Sequence, residues 1–145
     1  MFFVPETLDS GWGACVAMSL TLAIPGWDLA LEGPVSLAQP QLPIVPGVYV
    51  IVTPAIAPLA KYRLIYADET ENLADRIVGR HERRGSWVAE AGDPDTLSVA
   101  WLAAPMLTSR ERQYIVRAVI DRFDPPCNRR EAKARWMAQP RRVAS

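Results

Sequence analysis

Gly47-Val48-Tyr49-Val50-Ile51-Val52-Thr53, followed after a break by Tyr62-Arg63-Leu64-Ile65-Tyr66-Ala67, is the stretch that decides the fold. β-Branched residues crowd the first segment, as in a buried strand. Pro54 and Pro58 end it, because proline brings no N–H to a ladder. The second segment reads as another strand. The connection is too short for a crossover, so the two pair antiparallel.

Working outward, residues 16–24 alternate. Val16, Met18, Leu20, Leu22 and Ile24 point one way, and Ala17, Ser19, Thr21 and Ala23 the other. That is the period of a half-buried strand. Residues 1–13 show no period and read as an irregular arm. Pro25, Pro34, Pro40, Pro43 and Pro46 punctuate the next stretch, which predicts a meandering connection with one helical turn near residues 27–31. Downstream, Thr70 or Glu71 opens a helix whose face is Leu73, Ala74, Ile77, Val78 and His81, and Gly85 ends it. Residues 96–102 are a third strand, broken by Pro105. Thr108 and Glu111 have capping-box spacing. The helix they start carries Ile115, Val116, Val119, Ile120 and Phe123 on one face and stops at Pro125 and Pro126. The expected fold is α/β of the α+β kind. A small, mostly antiparallel three-stranded sheet is flanked by helices, with an extra N-terminal strand. Three segments follow: an N-terminal extension over 1–45, a domain over 46–128 and a basic tail over 129–145.

The 145 residues (16.1 kDa) are half hydrophobic and 22% charged. That is one domain's worth of chain, and the composition excludes a disordered, collagen-like or coiled-coil protein. Sixteen basic and sixteen acidic side chains cancel. The tail holds six of the basic ones (Arg129, Arg130, Lys133, Arg135, Arg141, Arg142) and one acid, Glu131, leaving ten basic against fifteen acidic upstream. A basic tail on an acidic body is a candidate phosphate surface, folds back on the body, or is simply a solvated, partly frayed terminus. Cys15 and Cys127 form neither a disulfide framework nor zinc spacing, and read as buried thiols. No segment has the apolar length of a membrane span. Residues 1–9 carry Glu6 and Asp9 and no Lys or Arg, unlike a signal peptide. The expectation is a soluble cytoplasmic protein without membrane partners.

Pro46-Gly47-Val48-Tyr49-Val50-Ile51, then Tyr66-Ala67-Asp68, then the run Glu69–Arg76, then His81, then Asp124-Pro125-Pro126-Cys127-Asn128 stand in an order and spacing that resembles the GIY-YIG nuclease family. The resemblance covers residues 46–128. It implies a phosphodiester-cleaving fold in which tyrosines from two motifs, an arginine on the first helix and a glutamate holding one divalent metal act together. Carried over by resemblance, the site residues are Tyr49, Tyr66, Arg76, His81 and Asn128, with Mg²⁺ or Mn²⁺ as cofactor for cleavage. The chain departs from that pattern twice. The metal-binding glutamate's position falls on Val116, and a valine offers magnesium no oxygen. Asp68 replaces a glycine and, with Glu69, Glu71 and Asp75, puts four acids beside the expected phosphate position. Glu111 lies on another side of its helix from Val116, and Gln113 is a neutral amide, which makes Asp68 the candidate substitute ligand.

Each residue also has a plainer role. The tyrosines fit as strand aromatics, His81 as a half-buried hydrogen-bonded side chain, and Asn128 as a turn closer. Trp87 and Trp101 fit the core. Arg76, Arg80, Arg83 and Arg84 form a stripe on the first helix, either solvated or gripping phosphate. With Arg129, Arg130, Lys133 and Arg135 the last three make the candidate nucleic-acid surface, and Trp136 beside them either stacks on a base or docks the tail. Three functions fit. The leading one is a GIY-YIG-like domain that has lost cleavage and binds nucleic acid or a partner. The others are an active endonuclease with a relocated ligand, and a protein-interaction domain with no nucleic-acid role.

Overall fold

Strand β3 (Gly47–Pro54) takes up the β-branched run, and every residue in it but Pro54 is buried. The structure, a computed structural model, describes residues 19–56, 61–79 and 81–129. β3 lies between β4 (Tyr62–Thr70) and β5 (Ser98–Ala103), antiparallel to both, with Val50 opposite Ala67 on one side and Ala100 on the other. Beyond β5 lies β2 (Trp27–Ser36), and at the far edge β1 (Ser19–Ile24). The sheet therefore has five strands in the order β1-β2-β5-β3-β4, antiparallel throughout.

This corrects the expected three-stranded sheet with one extra strand. It also replaces the helical turn expected near residues 27–31 with strand. Proline punctuation misled there for two physical reasons. Pro25 and Gly26 form the two-residue turn joining β1 to β2, with Gly26 supplying a φ of 92°. Gly33 and Pro34 sit inside β2 where the register shifts between Glu32 and Val35, and a bulge there accommodates the missing N–H. A Cβ on Gly33 would stand 2.9 Å from the Val99 carbonyl oxygen, and its φ is 89°.

The expected single helix running to Gly85 is also two helices. α1 (Leu73–Val78) is capped by the Asn72 side chain, and α2 (Arg84–Ala91) begins after a turn containing His81. Gly79 breaks the helix with extended backbone, and a Cβ there would lie 2.7 Å from the Asp75 carbonyl oxygen. Arg76, Arg83 and Arg84 are consequently not one helical stripe. Arg80 lies outside the described residues. A 3₁₀ turn (Pro94–Thr96) leads from α2 into β5.

α3 (Ser109–Phe123) starts with the expected capping box. Glu111 N–H donates to Thr108 Oγ1 at 3.1 Å, and Thr108 N–H to Glu111 Oε1 at 2.9 Å. The helix ends at Asp124, whose φ of 47° turns the chain into Pro125.

The strand alternation sorts the core onto two faces. Val48, Val50 and Val52 face α3, where Val116 and Val119 meet them with Leu20, Leu22, Leu29 and Leu31. Tyr49 and Ile51 face α1 and α2 and pack with Ile65, Tyr66, Leu73, Ile77 and Trp87. The chain then passes round the edge of β4, because Cys127, just after α3, is buried in the second cluster. Asn128 fixes the crossing. Its Oδ1 accepts from Ala67 N–H and its Nδ2 donates to the Ala67 carbonyl, both at 2.9 Å. Among the described residues no helix is long and apolar enough to cross a membrane. Cys15, Arg130, Lys133, Arg135 and Trp136 lie outside them.

Candidate functional site

Tyr49 of β3 and Tyr66 of β4 project from the same sheet face into the space under the α1–α2 turn. Tyr49 is 0% and Tyr66 1% exposed. His81, at 4% exposed, closes that space from above. Its Nε2 is 2.7 Å from the Tyr49 hydroxyl, and its Nδ1 accepts from the Arg83 amide at 2.9 Å. An amide can only donate, so Nδ1 is the lone-pair nitrogen and the neutral ring carries its proton on Nε2. His81 therefore donates to Tyr49. Trp87 completes the box, with its ring 4.4 Å from His81 and 5.3 Å from Tyr66, centroid to centroid.

Burial sets the electrostatics. It pushes His81 down to about 4, helped by the charges of Arg76, Arg83 and Arg84 and opposed by Glu82. Burial first, and the Asp68 charge second, push the Tyr49 phenol far upward, against the neighbouring Arg76 guanidinium. At neutral pH both groups are uncharged. Arg76 marks the boundary with solvent. Its Nη1 and Nη2 donate to the two Glu82 carboxylate oxygens at 2.7 and 2.6 Å. That pairing holds the Glu82 carboxyl at about 2 and raises Arg76 further. Arg84 Nε is buried and finds no acceptor among the described residues.

Asp68, the other half-exposed member, accepts from the Tyr66 hydroxyl at 3.1 Å and from the Glu69 amide at 2.8 Å. It also lines a cleft of about 620 Å³ between β4 and α3, together with Val116, Gln113 and Asn128. Asn128 holds the β4 backbone there, a strand clamp in place of the expected turn closer.

The expected residues thus separate into two groups. Tyr49, Tyr66, Arg76 and His81 come together on the α1–α2 face. Val116 and Asn128 belong to the α3 cleft, and Asp68 joins the two. The donor set does not fit a divalent cation. Val116 is an apolar side chain 8% exposed in the α3-facing core. Asp68 accepts two hydrogen bonds and keeps further lone pairs, but Glu69 is paired with Arg112, Glu111 serves the capping box and Gln113 Nε2 donates to Ser109 Oγ, so a cation beside Val116 would meet one carboxylate not taken up by an arginine or a cap. Among the described residues no three His, Cys, Asp or Glu side chains converge.

Two of the four acids expected to repel phosphate share one guanidinium, which offsets one of their two charges. Arg112, 2% exposed, donates from Nε to Glu69 Oε2 at 2.8 Å, from Nη2 to Glu71, and from Nη1 to the Leu107 carbonyl. Sequence reasoning missed Arg112, although its place four residues before Val116 and seven before Val119 on the apolar stripe was a readable signal. It also missed Glu82, which carries no motif.

Comparison with family models, with curated proteins and with solved structures gives no match.

Proposed function

We propose that the chain is a GIY-YIG-like domain that binds the phosphate backbone of nucleic acid at Arg76 and has lost metal-dependent cleavage. One observation carries the reading. Tyr49, Tyr66, Arg76 and His81, drawn from β3, β4, α1 and the turn after it, meet at one centre, where His81 and Arg76 hydrogen-bond the Tyr49 hydroxyl and the Tyr66 ring packs against Tyr49 and His81, 32 residues separating Tyr49 from His81. In it Arg76 alone combines fixed charge with access to solvent, and Arg83 and Arg84 lie close enough to bias His81.

The same geometry argues against hydrolysis. A general base needs a free lone pair within reach of water. His81 has its lone pair on the Arg83 amide and its proton on Tyr49. The Tyr49 phenol stays protonated. Val116 supplies no ligand. What remains is anion binding by a guanidinium set on a rigid aromatic floor. A protein partner is the second reading, favoured by exposed Ile44 and Val78, which line a shallow apolar cleft beside Asn72.

The test combines anisotropy of a fluorescein-labelled DNA duplex at two salt concentrations with nicking of supercoiled plasmid in Mg²⁺ or Mn²⁺. Binding that weakens steeply with salt and is reduced in Arg76→Ala, without nicking, is expected. Metal-dependent nicking abolished by Arg76→Ala would overturn the loss of cleavage. Neither binding nor nicking would overturn the nucleic-acid reading in favour of a protein partner.

A further inference from the structure

We infer that the Glu82 carboxylate is a built-in competitor for the anion seat of Arg76, so that a phosphate engages Arg76 fully only after Glu82 turns away. The inference rests on the phosphate-binding reading above. Two parallel N–H···O bonds join Arg76 to Glu82, at 2.7 and 2.6 Å. A guanidinium grips phosphate in the same fork, so Glu82 uses the donors a phosphate needs.

The two partners are unequally anchored. Arg76 belongs to α1, beside the buried Tyr49 hydroxyl, and its side chain is 29% exposed. Glu82 sits in the turn before α2 with its side chain 59% exposed. Its carboxylate is held by Arg76 and, beyond that, by its own backbone amide, which turns with the same exposed loop. His81 Nδ1, 3.9 Å away, is neutral and turned to the Arg83 amide. Glu82 is therefore the member that moves.

Exposed ion pairs shift an equilibrium only about one- to fivefold. A tethered carboxylate, however, competes at an effective concentration on the order of millimolar. An isolated small anion loses to it. A polyanionic backbone that also reaches neighbouring cations displaces it. Glu82 thus makes the seat selective for a chain of phosphates.

Glu82→Gln tests this, because it keeps the shape, removes the charge and changes an exposed position. Duplex binding is expected to tighten about fivefold, with a salt slope steeper by about one. In an Arg76→Ala background the same substitution is expected to change binding by less than about 1.5-fold, since coupled sites are non-additive. An equal gain in both backgrounds would show a general charge effect and overturn the inference. A second readout is independent of DNA: titration with inorganic phosphate, followed on the Arg76 Nε–H resonance, assigned by its loss in Arg76→Ala. Response at lower phosphate in Glu82→Gln than in wild type supports the competitor, even if no variant binds duplex, an outcome that overturns the nucleic-acid reading alone. Identical responses of wild type and Glu82→Gln to phosphate would overturn the competitor, even if duplex binds.

Discussion

Acidification from pH 7 to pH 5 is expected to remove about 2 kcal/mol of folding stability through His81 alone. The imidazole titrates near 6.5 in an unfolded chain and at about 4 in the folded one. A group whose folded value is depressed in this way stays neutral in the fold while the unfolded chain takes up its proton. The loss therefore begins near pH 6.5, steepens to about 1.4 kcal/mol per pH unit, and levels off near pH 4 at about 3 kcal/mol. Burial is the main cause, and Arg76, Arg83 and Arg84 add to it while Glu82 subtracts. The sequence contains one histidine, so the window between pH 6.5 and 5 has no competing imidazole. Carboxylates such as Glu82, held at about 2, act below it. Urea unfolding at half-unit steps from pH 7.5 to 4.5 measures the curve, and His81→Gln is expected to flatten it. Stability constant within about 0.5 kcal/mol from pH 7 to 5, or an imidazole titrating near 6.5 by NMR, would refute the burial of His81 as a neutral ring.

Arg112→Met should destabilise the fold by about 1–3 kcal/mol, because the partly buried Glu69 loses its partner while the exposed Glu71 falls back on water, and Arg112→Lys should restore less than half of it; urea midpoints decide. Asn128→Ala should lower stability by about 1–3 kcal/mol and speed hydrogen exchange at the Ala67 amide above other β4 amides. Gly79→Ala should cost about 1 kcal/mol or more, since the new methyl meets backbone that cannot yield, and should perturb the His81 and Arg76 resonances before those of α3.

The elements with strong local signals were legible. The β3–β4 pair followed from β-branched composition and a short connection, and α3 from its capping box and apolar stripe. β2 was hidden because Gly33 and Pro34 mark a loop in most contexts, and here a bulge opposite β5 absorbs them. The break at Gly79 was hidden because Leu73, Ile77 and His81 keep helical spacing through residues that are not one helix. At the site, the residue types were readable but their partners were not. Nothing local announces that Asn128 reaches Ala67, that Arg112 gathers Glu69 and Glu71, or that Glu82 faces Arg76, since such pairs arise only once the sheet is closed. Trp87 and Trp101 are core, as their size suggested.

The amide clasp between Asn128 and Ala67 also has a consequence in time. The two residues are 61 positions apart. At about 5–20 residues per second, a ribosome needs about 3–12 s to add that length. For that interval β4 has been made while the side chain that clasps its outer edge at Ala67 has not, and β5, the second partner of β3, arrives only part-way through. A nascent chain paused between these points presents an unfinished sheet to whatever strands are nearby. The asparagine therefore acts as a latch that only a completed domain can throw, and synthesis speed over this stretch sets how long the sheet remains open to mispairing.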